Sequence, residues 1–499
     1  MLEEYNELLA RAKEIKGWGS INALLGWDFE TYMPSGATNQ RSYQLSLIKS
    51  LIHKKMTDPE IANQLEKIMA SAEYNEMSAV EKRNIYLIKK AYDEQTKLPP
   101  ELVEKIARQY AIATATWKKA KKNKDYSIFK PELQITFDLI KEKAKYLNPD
   151  KKPYDVLLDL YEPGISREII QKLFDPLKKG LIPLIKKCVE ADQVDLSFLQ
   201  RKVPIDIQRK ISAKLMDFLE YDLQYGRLDE TEHPFTTGIY DDVRICTHYF
   251  ENNSMSSFYS VLHEAGHAIY EQNLPEAWRW MPVGEMCSMG IHESQSRVFE
   301  NIIGRSEEFW KYFLPIFKNI TGKTFEDIDL STMLRAVNNV KPSKIRIEAD
   351  EVTYSLHVIL RFEIEQMLFA DQVSISELPQ VWNEKMDEYF GLQIEHDSEG
   401  VMQDTHWAIG AFGYFPDYVL GNIYDGMFLE KLGKEHQGWL EEICNGSINT
   451  ILNWMIDNVH HNGNLMDPVD LVKHVTGKDI NSRPFISYLE EKMKKIYNF

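Results

Sequence analysis

Apolar residues recur at intervals of three and four positions along most of the chain. This spacing places them on one face of an α-helix and predicts amphipathic helices. A mainly α-helical fold is therefore the first expectation. The pattern is clearest in residues 1 to 17, 38 to 55, 78 to 94, 98 to 121, 167 to 189, 305 to 318 and 343 to 370.

One stretch departs from the helical period. Residues 235 to 251, FTTGIYDDVRICTHYFE, are rich in β-branched and aromatic residues, which favour strands. We expect a short hairpin or strand pair here, and therefore a small β-sheet just before the helix that contains the candidate chemistry.

Prolines near residues 99, 149 and 163 indicate turns between helices rather than long linkers. No internal repeat and no Gly/Ser/Pro-rich tract interrupts the pattern. Because separable domains are usually joined by such linkers, we expect residues 1–499 to form a single catalytic domain.

Composition excludes several classes of partner. Lys and Arg number 59 against 76 Asp and Glu, which gives a net charge of -17, and no basic stripe is present that could neutralise a phosphate backbone. The N-terminal MLEEYNELLARAKEIKGWG lacks the apolar run of a signal peptide, and no later window reaches membrane-spanning length. We expect no nucleic acid partner, no membrane partner and a cytoplasmic location.

Residues 261 to 270, VLHEAGHAIY, contain an HExxH arrangement. Residues four apart lie one turn apart on a helix, so His263 and His267 can converge on one ion while Glu264 projects beside it. Chance alone would give about 0.05 such arrangements in this composition. The pattern predicts one zinc ion per chain; the alternative is a helix with two histidines in ordinary structural roles.

A catalytic zinc needs a third protein ligand. The stretch SMGIHESQSRVFENIIG predicts a second helix that begins near residues 288 to 290 and could present Glu293 or His292. Neighbouring helical residues point about 100° apart, so only one of the two can face the metal. We expect Glu293 to be the ligand.

This ligand set predicts peptide hydrolysis. Two neutral imidazoles and one carboxylate leave the ion with positive charge, which lowers the pKa of a bound water and polarises a substrate carbonyl. Glu264 can take the proton from that water and deliver it to the leaving amine.

Several ordered blocks extend the motif over nearly the whole chain. They are His233-Pro234-Phe235, Asp242-x-Arg244, HEAGH at 263 to 267, HESQ at 292 to 295, IRIEAD at 345 to 350 and GVMQDTHW at 400 to 407. With these blocks, the sequence resembles the thermostable carboxypeptidase Taq family of metallocarboxypeptidases. The chain departs from the family's DxRxT block at one position, where Cys246 replaces the threonine.

The resemblance implies a large helical peptidase fold with a deep active-site groove between two halves, the metal on the groove floor, and a homodimer. It also implies an activity: removal of single C-terminal residues from peptides with a free C-terminus, with broad tolerance. The metal implied is zinc or, in some members, cobalt.

An exopeptidase must recognise a free carboxylate, which a guanidinium binds bidentately. Arg346 is the leading candidate, on a predicted polar stripe of the helix 343 to 370 that includes Asp350, His357 and Arg361. The alternative is a solvated helix face with an Arg346–Asp350 ion pair.

In the GVMQDTHW block, His406 could donate a hydrogen bond to the oxyanion, with Gln403 and Asp404 orienting it or the substrate. Tyr414 or Tyr418, just downstream, could assist as a phenol donor. The structural alternatives are a buried histidine and aromatic packing.

His233 and Arg244 are the remaining candidates for substrate binding. His233 begins the predicted strand region and could hold the substrate backbone, although it could equally cap a turn beside Pro234. Arg244 and Asp242 are expected near the site.

Two other functions compete with this interpretation. A related HExxH peptidase could cut internally or release dipeptides, and it would not lose its substrate when the C-terminus is amidated. A noncatalytic peptide-binding or metal-storage protein could retain the helix, but it would not require a general base at Glu264.

Overall fold

The computed structural model describes residues 2–499. Within them the chain forms two compact units, each assembled from three separate stretches. The first unit contains the stretch up to Thr96, Val194–Val337 and Phe428–Gly477; the second contains Lys97–Gln193, Asn338–Met427 and Lys478–Phe499. The expected groove and the single catalytic domain over residues 1–499 stay predictions.

α-Helices dominate both units, which confirms the mainly α-helical class. In chain order they are α1 (Leu2–Glu30), α2 (Thr38–Met56), α3 (Pro59–Ala70), α4 (Ala79–Thr96), α5 (Pro100–Asn123), α6 (Tyr126–Leu147), α7 (Pro153–Asp159), α8 (Arg167–Glu190), α9 (Ile205–Phe218), α10 (Ser254–Gln272), α11 (Met289–Arg297), α12 (Glu307–Thr321), α13 (Leu330–Val337), α14 (Tyr354–Phe369), α15 (Leu378–Phe390), α16 (Asp417–Glu435), α17 (Trp439–Cys444), α18 (Asn449–Asn458), α19 (Pro468–Thr476) and α20 (Arg483–Tyr497).

Most predicted helices lie where the apolar spacing places them. The N-terminal helix is longer than predicted, since α1 continues past residue 17 to Glu30. Its second half contains Gly17, Gly19 and Gly26, which weaken helix propensity by about 1 kcal/mol each relative to alanine. The helix therefore continues against its local preference.

The predicted helix 343 to 370 is wrong in its first third. Only a 3₁₀ turn, Arg346–Glu348, forms before α14 begins at Tyr354. Asp350 accepts hydrogen bonds from the backbone N–H groups of Val352 and Thr353, each at 3.0 Å. An aspartate whose side chain accepts hydrogen bonds from nearby backbone N–H groups favours a turn just before a helix. It is less favourable inside the helix.

The small sheet is confirmed and contains one strand more than predicted. Its strands are β1 (Gly226–Glu230), β2 (Phe235–Ile239) and β3 (Asp242–Thr247), in the order β1-β3-β2. β2 and β3 form the expected antiparallel hairpin, and β1 pairs parallel to β3. The sequence of β1, GRLDE, has too many charged residues to indicate a strand, but charged side chains are typical of a sheet edge.

An aromatic core anchors α10 in the first unit. Phe258 of α10 packs against Phe309, Trp310, Phe313 and Phe317 of α12, with ring centroids 5.3 to 6.2 Å apart. All five rings are buried. Replacing such a side chain by alanine costs about 3–5 kcal/mol, so this contact fixes α10 firmly in the unit.

In the second unit, most residues of α14 are buried, and polar ones such as His357, Arg361 and Glu365 are among them. Its Phe362 and Phe369 contact Tyr154 of α7, and Phe369 also contacts Phe137 of α6. Among residues 2–499, no helix combines the length and the apolar character needed to cross a membrane.

Candidate metal centre and polar cluster of the second unit

α10 places His263 and His267 one turn apart with both rings on the same face. The ring centroids lie 4.8 Å apart at an interplanar angle of 87°. Both imidazoles face Glu293 of α11, and one ligand atom from each of the three side chains lies within 4.8 Å of the others. The structure thus brings together the three residues that the sequence predicts as metal ligands.

Gly266, between the two histidines, allows α11 to approach α10. A Cβ atom at Gly266 would lie 2.4 Å from the carbonyl oxygen of Gln295 and 2.6 Å from Cα of Ser296. Both contacts are with backbone, so a larger residue would displace α11. The close approach brings Oε2 of Glu293 to 3.7 Å from Nε2 of His267 and 3.9 Å from Nε2 of the other histidine.

The two candidates for the third ligand point in different directions. α11 begins where predicted, with Ser288 as its N-cap. Glu293 faces the two histidines, whereas Nε2 of His292 lies 3.1 Å from Oε1 of Glu271. The His292 ring stacks on that of His267 with centroids 4.3 Å apart. This geometry favours Glu293 over His292 as the ligand.

Glu300 belongs to the site although no sequence motif points to it. It lies in a π-helical turn, Val298–Ile303, and its Oε2 is 2.8 Å from Nδ1 of His263. This contact directs Nε2 of His263 towards Glu293. The seven-residue spacing from Glu293, two helical turns, could have indicated Glu300, but the π-helical turn is not visible in the sequence.

Arg297 links the two acidic side chains. Its Nε donates to Oε1 of Glu293 at 2.7 Å, and its Nη1 donates to Oε2 of Glu300 at 3.1 Å. Burial alone would raise the pKa of Glu300, but Arg297, His263 and Arg305 outweigh burial and hold that pKa well below its usual range. Glu300 is therefore ionised.

The charges of the cluster suit a divalent cation. Burial lowers the pKa of His267 well below its usual value, so this imidazole is neutral. Burial also acts to lower the pKa of His263, but Glu293 and Glu300 outweigh it and raise the pKa to about 9. A proton on His263 thus balances two carboxylates, and a cation held at Nε2 could replace it.

The ligand atoms are spaced somewhat more widely than around a bound ion. In a tetrahedral site with ligands at about 2.0–2.1 Å, the ligand atoms are about 3.3 Å apart. The Glu293 oxygen lies 3.7 and 3.9 Å from the two histidine nitrogens. The three ligand atoms lie within 4.8 Å of one another, so side-chain movements of up to about 1.5 Å would close the set around one ion.

Glu264 lies beside this cluster and is 8% exposed. Its Oε2 accepts a hydrogen bond from Oγ1 of Thr236 in β2 at 2.6 Å. Burial raises the pKa of Glu264, while His263 and Thr236 oppose the shift. A carboxylate with a raised pKa beside a cation site suits a group that accepts a proton and returns it.

In the second unit, two arginines share one partly buried carboxylate, that of Asp404. Asp404 accepts hydrogen bonds from Nη2 of Arg346 at 3.0 Å and from Nε of Arg361 at 2.8 Å. Oε1 of Gln403 accepts from the Arg346 backbone N–H and from Nη2 of Arg361, both at 2.8 Å. Burial would raise the pKa of Asp404, but the two guanidinium groups hold it well below its usual range.

Arg346 occupies a different environment from the predicted one. Its side chain is buried, with the residue 6% exposed, and its Nη1 donates to the Tyr354 hydroxyl at 2.8 Å. The alternative ion pair with Asp350 is wrong, because the turn before α14 separates the two and Arg346 pairs with Asp404 instead. Its role as a carboxylate anchor stays a prediction.

His406 lies close to both candidate tyrosines. Its ring stacks on that of Tyr414 with centroids 5.6 Å apart, and its Nε2 lies 3.4 Å from the Tyr418 hydroxyl. Burial lowers the pKa of His406 to about 4, with Asp404 opposing. His406 is therefore neutral at pH 7, and Tyr418 is the phenol within hydrogen-bond reach of it.

Glu365 fixes the loop on which His406 lies, and no sequence motif indicates it. This buried carboxyl accepts hydrogen bonds from Nε1 of Trp407 at 2.7 Å, from the Gly413 N–H at 2.9 Å and from the Tyr154 hydroxyl at 2.9 Å. One side chain thereby sets the positions of Trp407, inside the 3₁₀ turn at His406–Ile409, and of Gly413, which follows that turn.

The two remaining candidates, both in the first unit, lie near the sheet. Arg244 forms a bidentate ion pair with Asp242 of the same strand, at 2.6 and 2.9 Å, and stacks on Trp27 of α1 at 4.1 Å. His233 is exposed and precedes β2. Both keep their predicted roles as hypotheses.

Comparison with known proteins extends the match beyond these residues. The model of the carboxypeptidase Taq (M32) metallopeptidase family matches residues 7–493. Thermostable carboxypeptidase 1 of Thermus thermophilus is 38% identical, with 99% of each chain covered, and carboxypeptidase 1 of Bacillus subtilis is 36% identical, covering 99% of this chain and 98% of its own. The crystal structure of an M32 carboxypeptidase from Deinococcus radiodurans has a TM-score of 0.96 at 31% identity, with both chains fully covered.

Proposed function

The chain belongs to the carboxypeptidase Taq (M32) family of metallopeptidases, and from this premise we propose a zinc-dependent enzyme that releases single C-terminal residues from peptides with broad tolerance. The family is one of metallopeptidases, and both relatives are named carboxypeptidases. We propose that the metal is zinc, that the specificity is broad and that the residues have the roles described below.

His263, His267 and Glu293 are the proposed ligands of one ion per chain, zinc or cobalt. The single observation that carries the proposal is their convergence within 4.8 Å beside Glu264. When bound, the ion supplies Lewis acidity, which makes water a stronger acid and a carbonyl a better electrophile.

Glu264 performs the proton transfer. One carboxylate oxygen, Oε2, is engaged by Thr236, so Oε1 accepts the proton of the attacking water and returns it to the leaving nitrogen. Burial raises the pKa of Glu264. The pKa is thereby closer to neutral pH, where proton transfer by a carboxylate is efficient. No covalent enzyme intermediate is required.

The side chains of the second unit are proposed to recognise the substrate. Arg346 binds the free C-terminal carboxylate with the N–H groups that Asp404 and Tyr354 do not use. Gln403 and Asp404 orient Arg346, as their hydrogen bonds to it indicate. His406 donates to the oxyanion as a neutral imidazole.

Four further residues belong to the proposed recognition. Of the two phenols, Tyr418 lies within reach of His406 and Tyr414 stacks on it, so either can assist the oxyanion donor. In the first unit, His233 and Arg244 are proposed to hold the peptide backbone upstream of the scissile bond.

The assignment of Glu264 is tested with Glu264→Gln. We expect the variant to bind zinc within about threefold of the wild-type affinity, because no ligand is removed, and to lose nearly all turnover. The exposed Glu326→Gln serves as the matched control and should behave as wild type. Substantial turnover by zinc-loaded Glu264→Gln would overturn the assignment.

The chain is also proposed to act as a homodimer in the cytoplasm, as one catalytic domain, on peptides rather than on nucleic acid or membranes. The resemblance to the family supports the dimer, and the acidic composition supports the exclusion of nucleic acid. Mass measurement in solution tests the dimer directly, with a mass near 58.3 kDa as the result against it.

A further inference from the structure

We propose that Thr236 is a positioning residue for Glu264, an inference that rests on the proposed function of that glutamate. The Thr236 hydroxyl lies 2.6 Å from Oε2 of Glu264 and 2.9 Å from its backbone carbonyl oxygen. It is the side chain of β2 that touches the proposed proton acceptor.

The register of the hairpin places Thr236 at this point. Successive side chains of a strand alternate between the two faces of the sheet. Thr236 is paired with Ile245, which is fully buried, and so faces the core beside α10. Thr237 is paired with Arg244 and faces the opposite side. A register shift by one residue would exchange the two faces.

Gly238 holds that register. Its φ is +103°, and a Cβ atom there would lie 1.9 Å from the carbonyl oxygen of Asp242. Only glycine adopts this conformation at such close approach. The hairpin is thus tight, and the distance between Thr236 and α10 is set by backbone geometry rather than by a flexible loop.

The hydrogen bond gives the two oxygens of Glu264 different tasks. A carboxylate in a buried site can rotate about its last torsion, and a freely rotating group would present either oxygen to the water. With Oε2 held by Thr236, Oε1 faces the reacting water in each catalytic cycle. A hydrogen bond to a charged group corresponds to about a tenfold to hundredfold effect.

The test compares variants that differ in one hydroxyl. Thr236→Val removes the donor and keeps the branched shape and strand preference, Thr236→Ser restores the donor, and Thr237→Val makes the same change on the opposite face of the strand. Measured quantities are kcat and KM on an N-blocked peptide with a free C-terminus, zinc affinity and melting temperature.

We expect Thr236→Val to lower kcat about 10- to 100-fold with KM and zinc affinity within about twofold of wild type. Thr236→Ser should recover most of the loss, and Thr237→Val should match wild type. In a Glu264→Gln background, Thr236→Val should have no further effect on the residual rate.

The proposal is overturned if Thr236→Val keeps the wild-type kcat, or if Thr236→Ser is as impaired as Thr236→Val. A further loss in the Glu264→Gln background also contradicts it, because Thr236 would then act independently of the glutamate. If Glu264→Gln itself turns over normally, the proposed function fails first, which distinguishes the two failures.

Discussion

Nδ1 of His263 lies 2.8 Å from Oε2 of Glu300, although the two residues are 37 positions apart in the chain. The contact fixes the orientation of the imidazole and leaves Nε2 to face Glu293. A metal-binding histidine almost always makes such a bond through its other nitrogen. Glu300 lies in the π-helical turn at Val298–Ile303.

Removing the charge of Glu300 should weaken metal binding without removing a ligand. We expect Glu300→Gln to bind zinc about 10- to 100-fold more weakly than wild type, measured by competition with a chelator of known affinity. The exposed Glu326→Gln is the control. Equal zinc affinity of Glu300→Gln and wild type would show that the contact does not orient the ligand.

The close approach of α11 at Gly266 predicts a strong effect of a single methyl group. Gly266→Ala should lower the melting temperature and the zinc affinity, because the added Cβ meets backbone at 2.4 Å and overpacking typically costs about 1–3 kcal/mol. Gly19→Ala, in a helix with no atom within 4 Å of the new methyl, should be neutral or stabilise by up to about 1 kcal/mol. Similar behaviour of the two variants would refute the close-packing argument.

The lowered pKa of His406 predicts a pH-dependent stability. Between pH 6.5 and about 4, the unfolded chain protonates this histidine while the folded chain does not. The folded state therefore loses stability as the pH falls through this window, by up to about 3 kcal/mol at its lower end, and loses none above pH 6.5.

His406→Gln removes this term, so the melting temperature of the variant should fall less than that of wild type between pH 7 and pH 4. The expected divergence is about 2–4 °C for a protein of this size. Melting temperatures measured across the range at constant ionic strength check it, and parallel curves for the two proteins would mean that His406 is not buried as a neutral group.

A role of Arg346 in binding the terminal carboxylate predicts a selective defect. Arg346→Lys keeps a positive charge near Asp404 but loses the planar fork. We expect its KM for free-acid peptides to rise about tenfold or more. Its preference for free-acid over amidated peptides should become smaller.

Arg361→Lys is the matched comparison, since Arg361 pairs with the same aspartate and is fully buried. It should reduce stability without changing the acid-to-amide ratio of kcat/KM. The same change of that ratio in both variants would return Arg346 to a purely structural role.

The sequence predicts the helices and the metal cluster well, because both depend on short-range spacing. The intervals of three and four residues locate α2, α4, α5 and α8 closely, and the spacing from His263 to His267 is set by one helical turn. Helix geometry alone shows that only one of Glu293 and His292 can face the two histidines, and it does not decide between them.

Relationships between distant segments escape such patterns. The pairing of Arg346 with Asp404, the contact of Thr236 with Glu264 and the three hydrogen bonds of Glu365 each join segments whose approach depends on the whole fold. β1 and the π-helical turn at Glu300 escape for a related reason, since tertiary packing overrides their local preference.

The most direct test of the central claim is hydrolysis of one N-blocked peptide as its free acid and as its C-terminal amide, with products followed by mass. We predict stepwise release of single C-terminal residues from the free acid alone, abolished by chelation, restored by zinc or cobalt and absent in Glu264→Gln. Internal cleavage of both peptides, or no cleavage of either by the zinc-loaded protein, would contradict the carboxypeptidase assignment.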